Sequence, residues 1–290
     1  MNMSDKRVLI TGMNGFTGHY MAASLRNSGY EVFGGNKDHS VDLRDQLAVR
    51  KMLLAIKPNF VIHLAALAFV GHGNANSFYE VNLIATRNLL EELAQLATPP
   101  SRVLIASSAN VYGNAQEGTL DENAIVAPAN DYAVSKLAME YMASLWGKQF
   151  PLIITRPFNY TGVGQDEKFL IPKIISHFRR KADVIELGNL DVWRDFSDVR
   201  SVVAAYQGLL ESDATGQTFN VCSGETHSLR EVLGMCESIT GHAINVRVNP
   251  DFVRANEVKS LCGSPRKLRK IIPNWQSFSL DETLRWMLES

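Results

Sequence analysis

Cysteine is scarce: Cys222, Cys236 and Cys262 are an odd number in 290 residues, and no two form a CxxC pair. A chain of this length does not depend on disulfide staples, so its cysteines predict a reducing, cytoplasmic setting. Long apolar runs are also missing. The opening MNMSDKRVLITG passes into a strand pattern with no stretch suited to a signal peptide, and no later window approaches a membrane span, which predicts a soluble protein away from the membrane. Neither sign of charge dominates: 29 basic residues face 30 acidic ones, a net charge of −1. That balance argues against a general attraction to nucleic acid or acidic lipid, and any bound anion has to meet local positive groups. His63, His72 and His177 fall in no HxxxH or other metal-ligand spacing, which predicts no metal. His63 reads as a satisfied strand-end residue. Internal repeats and low-complexity linkers are absent, so the lobes of the chain are expected to share a tight cleft, the kind of place that holds ligands.

What is present is an ordinary globular composition, 46% hydrophobic and 20% charged, with a regular alternation of segments. Short apolar runs at Val8–Thr11, Phe60–Leu64, Val103–Ser107 and Leu152–Thr155 alternate with amphipathic stretches at Thr17–Asn27, 75–97 and 131–149. Strands alternating with helices predict an α/β fold, a doubly wound parallel sheet covered on both faces. Beyond residue 160 the rhythm loosens, but a helix over Val199–Glu211 and a strand over Thr218–Val221 return the chain to the sheet. The expected division is a dinucleotide-binding domain over 1–165, its sheet completed by about 195–225, and a smaller C-terminal α+β lobe over 166–194 and 226–290. In that lobe a helix is expected over Phe169–Lys181, and two capping boxes, Ser228-Leu229-Arg230-Glu231 and Ser279-Leu280-Asp281-Glu282, announce two more.

After the first strand, Thr11-Gly12-Met13-Asn14-Gly15-Phe16-Thr17-Gly18 spaces glycines three apart and opens a helix. Glycines there let the backbone turn sharply and approach a pyrophosphate, while the helix start offers N–H donors and the positive end of its dipole. Gly12, Asn14, Gly15, Phe16, Thr17 and Gly18 are therefore candidate cofactor contacts. Near the end of the second strand, where a carboxylate usually meets the ribose of NAD, the sequence offers Asn36 and Lys37, which would not repel a 2′-phosphate. NADP(H) is favoured, with NAD(H) as the alternative. Asp42, beside Leu43, is placed either to accept from an adenine amino group or to cap a helix.

Tyr132 and Lys136 lie four apart on an expected helix, which stacks them on one face. A phenol with a pKa near 10 exchanges protons poorly at neutrality, and an adjacent ammonium would lower it. Ser107 and Ser108 follow an apolar strand at its carboxyl end, where open parallel sheets place ligands, and Ser108 is the better placed to leave the sheet and hold a substrate oxygen opposite the tyrosine.

Turn, serine and YxxxK in this order resemble the extended short-chain dehydrogenases/reductases, the family of NAD-dependent nucleotide-sugar epimerases, dehydratases and ketoreductases. The likeness runs through TGxxGFxG at Thr11–Gly18, His63-Leu64-Ala65-Ala66, Asn82 in VNLIATRNLL, SSANVYG, Tyr132-Ala133-Val134-Ser135-Lys136 and Arg156-Pro157-Phe158-Asn159. It implies a Rossmann sheet, a catalytic set of Ser108, Tyr132 and Lys136, a cofactor lined by Leu64, Ala65, Ala66 and Asn82, and Phe158 near the nicotinamide.

Dehydratases of the family carry an acidic residue or pair just after the catalytic hydroxyl, because eliminating water needs its own acid and base. This chain has Ala109 and Asn110 there, which argues against dehydration. RPFNYTGVGQ at Arg156–Gln165 and GNLDVWRDFSDVR at Gly188–Arg200 are similar to the reductases of GDP-4-keto-6-deoxy-D-mannose, although those usually read His-Ile-Gly-Pro-Gly where this chain has Tyr160-Thr161-Gly162-Val163-Gly164. The implied activity is reduction of the 4-keto group of a GDP-linked deoxysugar. A 4-epimerase with tightly bound NAD is the alternative, and a non-catalytic redox-sensing or nucleic-acid-binding relative a further one. Arg194 and Arg254 fall where the family places diphosphate-binding arginines, Glu257 at a spacing suited to a ribose hydroxyl, and Asn159 near the sugar-phosphate. Asn110 and Val70 are placed in the sugar pocket, and Lys173 near the base. The family's usual pairing through the helices of 75–97 and 131–149 implies a homodimer.

Overall fold

The computed structural model describes residues 6–34, 41–68, 74–113, 118–252 and 259–290. Asn36, Lys37, Val70, Arg254 and Glu257 lie outside the described residues.

Strand β1 (Arg7–Thr11) leads into helix α1 (Phe16–Asn27), followed by β2 (Glu31–Phe33), α2 (Gln46–Ile56) and β3 (Phe60–His63). Next come α3 (Ala75–Phe78), a π-helical stretch over Tyr79–Ile84, α4 (Ala85–Ala94) and β4 (Arg102–Ala106). A 3₁₀ turn at Ala109–Tyr112 precedes β5 (Thr119–Leu120), α5 (Asp131–Ser144), β6 (Leu152–Pro157), β7 (Asn159–Thr161) and α6 (Leu170–Arg179). The chain continues through β8 (Val184–Leu187), β9 (Trp193–Arg194), β10 (Phe196–Asp198), α7 (Val199–Glu211) and β11 (Gln217–Val221). It ends with β12 (His227–Ser228), α8 (Leu229–Thr240), β13 (Asn245–Val248), β14 (Ser260–Gly263), α9 (Arg266–Ile271) and α10 (Leu280–Glu289).

Six strands form a parallel sheet in the order β11-β6-β4-β3-β1-β2. This is the doubly wound Rossmann arrangement expected from the strand–helix alternation. Side chains alternate across each strand, and both faces are apolar because both are covered. Val8, Ile10, Ile62, Leu104 and Ile153 pack with Met21 and Leu25 of α1 and Val202, Tyr206 and Leu209 of α7. Leu9, Val61, Val103, Ile105 and Leu152 pack on the other side with Leu53 of α2, Leu89 and Leu93 of α4, and Met139 of α5. A further core joins Ile174 and Phe178 of α6, Ile185 of β8, Val232 and Cys236 of α8, and Leu284 and Met287 of α10. Both expected capping boxes form, Ser228 with Glu231 opening α8 and Ser279 with Glu282 opening α10.

Helix α2 is capped by Asp45, whose carboxylate accepts from Leu47 and Ala48, not by Asp42. The helix expected over 131–149 ends at Ser144, and that over 75–97 is interrupted by the π-helical turn. No helix among the described residues is long and apolar enough to cross a membrane.

Candidate active site

Strands β2 and β3 leave β1 on opposite sides, so a crevice opens beyond the carboxyl ends of β1 and β3, where Thr11 pairs with His63 in register. Ligands bind open α/β sheets at such a reversal. Gly12 lies here at φ +71°, and a Cβ on it would come 2.8 Å from the Ala65 nitrogen. The turn closes through Gly15 N–H donating to Gly12 O at 2.9 Å. A Cβ on Gly18 would stand 2.6 Å from the Met13 Cα, so glycine is what lets α1 follow the turn this closely. Gly15 is the N-cap of α1 and supplies no side-chain cap, which leaves the first-turn donors to whatever anion the turn receives. Asn14 is exposed at its rim.

Ser108 leaves β4 as the N-cap of the 3₁₀ turn, its Oγ accepting from Asn110 N–H at 3.2 Å, and its hydroxyl lies close enough to Tyr132 to act on the phenol's pKa. Ser107 is 3% exposed, and its Oγ meets no partner among the described residues. Tyr132 stands edge-on to Phe78 with centroids 5.9 Å apart. One turn along α5, Lys136 is buried and donates to the Ala106 carbonyl at 2.7 Å. The expected depression of the Tyr132 pKa by this lysine is not found. Burial pushes the phenol up to about 12, with Ser108 working the other way, and the lysine's ammonium is turned to the Ala106 carbonyl. Burial also pushes Lys136 down to about 8, opposed by the charge of Glu140.

The other expected contact residues are held by the following partners. The amide of Asn82 is fully engaged and wholly buried: Nδ2 donates to Leu67 O at 3.1 Å and Ser135 Oγ at 3.0 Å, and Oδ1 accepts from Leu67 N–H at 2.9 Å. Asn82 thus fixes the 64–67 segment against α5 instead of lining the crevice itself, while Leu64, Ala65 and Ala66 stay half-buried beside the turn. Phe158 is 3% exposed and packs with Tyr112, Cys222 and Leu261 beneath the site. Asp42 is exposed and clasped by Arg44 at 2.7 Å, which lowers its pKa, and the Leu43 carbonyl accepts from Asn88. Lys173 points to the Glu186 carbonyl at 2.8 Å and lies over the Phe252 ring. Arg194 donates to the carbonyl of Trp193 at 2.8 Å and of Lys259 at 3.4 Å, just after the segment that holds Arg254 and Glu257. Asn159 is half-buried on β7, paired with Phe196.

A polar relay joins the glycine turn to the catalytic helix. Ala65 N–H donates to Thr11 Oγ1 at 3.3 Å, Thr11 Oγ1 lies 2.6 Å from His63 Nδ1, His63 Nε2 lies 2.7 Å from Thr86 Oγ1, and Thr86 donates to Asn82 O at 2.7 Å. Because the Thr86 proton is committed to Asn82, His63 donates from Nε2 and accepts at Nδ1, a neutral ring. Burial and the charge of Lys136 hold its pKa at about 3, so the histidine is a satisfied strand-end residue as expected. Beneath Lys136, Glu140 receives a two-pronged bond from Arg156, whose Nη1 also reaches the Tyr112 hydroxyl at 3.0 Å. Spacing could have flagged Glu140, four residues after Lys136; the relay's partners are too far apart in sequence for that.

The family model described as GDP-mannose 4,6 dehydratase matches residues 35–287. The chain is 35% identical over 274 residues to the GDP-6-deoxy-D-talose 4-dehydrogenase of Aggregatibacter actinomycetemcomitans, covering 94% of this chain and 93% of that one. It is 31% identical over 294 residues to the GDP-6-deoxy-D-mannose reductase of Pseudomonas aeruginosa, covering 98% and 96%. Among solved structures, a Burkholderia cenocepacia J2315 protein provisionally assigned as an epimerase matches with a TM-score of 0.92 at 50% identity, covering 98% of this chain and 97% of that one. RMD from Pseudomonas aeruginosa, complexed with NADPH, matches with a TM-score of 0.88 at 30% identity, covering 98% and 97%. On the reach of that model and of these relatives, the chain belongs to the extended short-chain dehydrogenases/reductases that act on nucleotide-sugars, within the group described as GDP-mannose 4,6 dehydratase.

Proposed function

We propose that the protein reduces the 4-keto group of a GDP-linked 4-keto-6-deoxyhexose with a reduced nicotinamide dinucleotide, NADPH in preference to NADH. The observation that carries this reading is the placing of Ser108 at the carboxyl end of β4 close enough to Tyr132 to lower its pKa, with Ala109 and Asn110 following where dehydration would need carboxylates. Both relatives named above act on GDP-6-deoxyhexoses, which supports the substrate class. The residues present fit a dinucleotide: Gly12 and Gly18 let the turn close tightly against Ala65 and Met13, and the start of α1, with no side-chain cap, suits a pyrophosphate.

A bound dinucleotide supplies the hydride that reaches C4 of the sugar. Tyr132, protonated at neutral pH because burial raises its pKa, gives its phenolic proton to the developing alkoxide and leaves an alcohol. Ser108 hydrogen-bonds the same oxygen and steadies its charge. Lys136, which gives one N–H to the Ala106 carbonyl, would hold the nicotinamide ribose with its remaining donors. Asn110 and Asn159 border the sugar, Arg194 meets the diphosphate, and the nucleotide-sugar lies between residues 1–165 with 195–225 and the lobe of 166–194 with 226–290. Two copies pair through α4 and α5, where Ile84, Val134, Tyr141 and Leu145 are exposed.

The test is loss of reduced-nicotinamide absorbance with GDP-4-keto-6-deoxymannose generated in place by a dehydratase, using NADPH and NADH in parallel. Stoichiometric loss is expected, with NADPH the faster. Interconversion of an intact GDP-hexose without loss of cofactor would transfer the assignment to a 4-epimerase. Tyr132→Phe is expected to slow turnover at least about 100-fold, the usual scale of acid catalysis, while still binding NADPH.

A further inference from the structure

Tyr160 stands where the resembled reductases usually have histidine, and it has no role in the scheme above. It follows Asn159 on β7, and its hydroxyl lies 2.8 Å from Thr17 Oγ1. Its ring stacks on Phe16 with centroids 6.3 Å apart and planes within 14°. Phe16 and Thr17 are the first residues of α1, directly after the phosphate turn. The contact extends along the helix: Tyr20 meets Phe16 edge-on at 5.6 Å and donates to the Val163 carbonyl at 2.7 Å. Tyr20 in turn meets Trp286 of α10 at 6.1 Å. Gly162 makes the approach possible, since a Cβ there would stand 2.6 Å from Val199 Cγ1. Residues 160–163 are thereby fastened to the start of α1 by two hydroxyls and an aromatic stack. Tyr160 is also near enough to Tyr132 to raise its pKa.

A turn built on Gly12, Gly15 and Gly18 has wide conformational freedom, and freedom lost on binding weakens affinity. We infer that Tyr160 is a positioning residue: from the strand that carries Asn159, it holds the phosphate turn in its binding geometry through Thr17 and Phe16. This rests on the reading that the turn receives the dinucleotide pyrophosphate. Tyr160→Phe keeps the stack and removes the hydroxyl bond, Thr17→Val removes the other half, and Thr17→Ser keeps it.

The experiment is titration of the full chain with NADPH, followed by nicotinamide fluorescence, for the wild type, Y160F, T17V, T17S and the Y160F/T17V double variant. Each single loss of the bond is expected to weaken NADPH binding about 5–10-fold. T17S, which keeps the hydroxyl, should bind more tightly than T17V, and the double variant no worse than either single one, because both remove the same interaction. Wild-type affinity in Y160F and T17V, or effects that multiply in the double variant, would overturn the role. Wild-type protein that binds neither NADPH nor NADH would overturn the reading of the turn itself and this role with it.

Discussion

Tyr132 keeps its proton into the alkaline range, whereas Lys136, one helical turn away, is poised to lose its own near pH 8. The pH dependence of turnover therefore reports the lysine. The ammonium, fully present below pH 8, is lost as pH rises through that value, while the phenol remains protonated up to about pH 12. An alkaline fall in kcat centred near pH 8 is expected, moving upward in Lys136→Arg because a guanidinium stays charged; a limb that stays put in that variant would assign it to another group. His63 gives a separate signature in stability. Its folded pKa of about 3 lies below the unfolded value near 6.5, so the unfolded chain binds the extra proton. Its contribution to stability is whole above pH 6.5 and is lost as pH falls toward 3. Between those limits wild-type stability should fall more steeply than that of His63→Asn, by up to about 1.4 kcal/mol per pH unit, the value for one proton; parallel slopes in denaturant melts would contradict the neutral ring. Ser108, Tyr132 and His63 were legible in the sequence because local spacing or strand position constrains them. Asn82 was not, since Leu67 and Ser135, its partners, stand 15 and 53 residues away.

Element boundaries follow local chemistry where that chemistry is unambiguous. Ser279 accepts from Glu282 N–H while Glu282 reaches back to the Ser279 N–H, and α10 starts there as the spacing predicts. Ser279→Ala should cost about 1 kcal/mol, read as a lower thermal midpoint with unchanged NADPH affinity; no change would mean that packing of Leu284 and Met287 alone sets the helix. Two aspartates three residues apart both suit the cap of α2, and only the fold shows Asp45 capping while Arg44 claims Asp42. The two-residue strands β5, β9 and β12 carry too few residues for a period to be visible, and they exist through pairing with distant chain. Arg194 owes its position to β9 and Asn159 to the short β7–β10 pair, so the segments expected on the sugar side carry less local signal than those around Ser108 and Tyr132.

At the scale of the whole molecule, the alternation of strand and helix was enough for the Rossmann sheet, because burying both faces of parallel strands leaves few other arrangements. The surface carries a different kind of message. Tyr141 of α5 and Leu145, the residue that follows that helix, are 64% and 75% exposed, the kind of large apolar side chain that a partner surface would use. A homodimer through this face predicts that light scattering finds a dimer in the wild type and a monomer in Leu145→Asp; a dimer that survives the substitution would place the interface elsewhere. The central claim, hydride delivery to C4 of a GDP-4-keto sugar, is tested most directly with NADPH carrying deuterium at the transferable nicotinamide position and GDP-4-keto-6-deoxymannose. The account predicts one deuterium at C4 of the product for each NADPH consumed, seen by NMR and mass spectrometry, whereas product without deuterium at C4, or no consumption of NADPH, would contradict it.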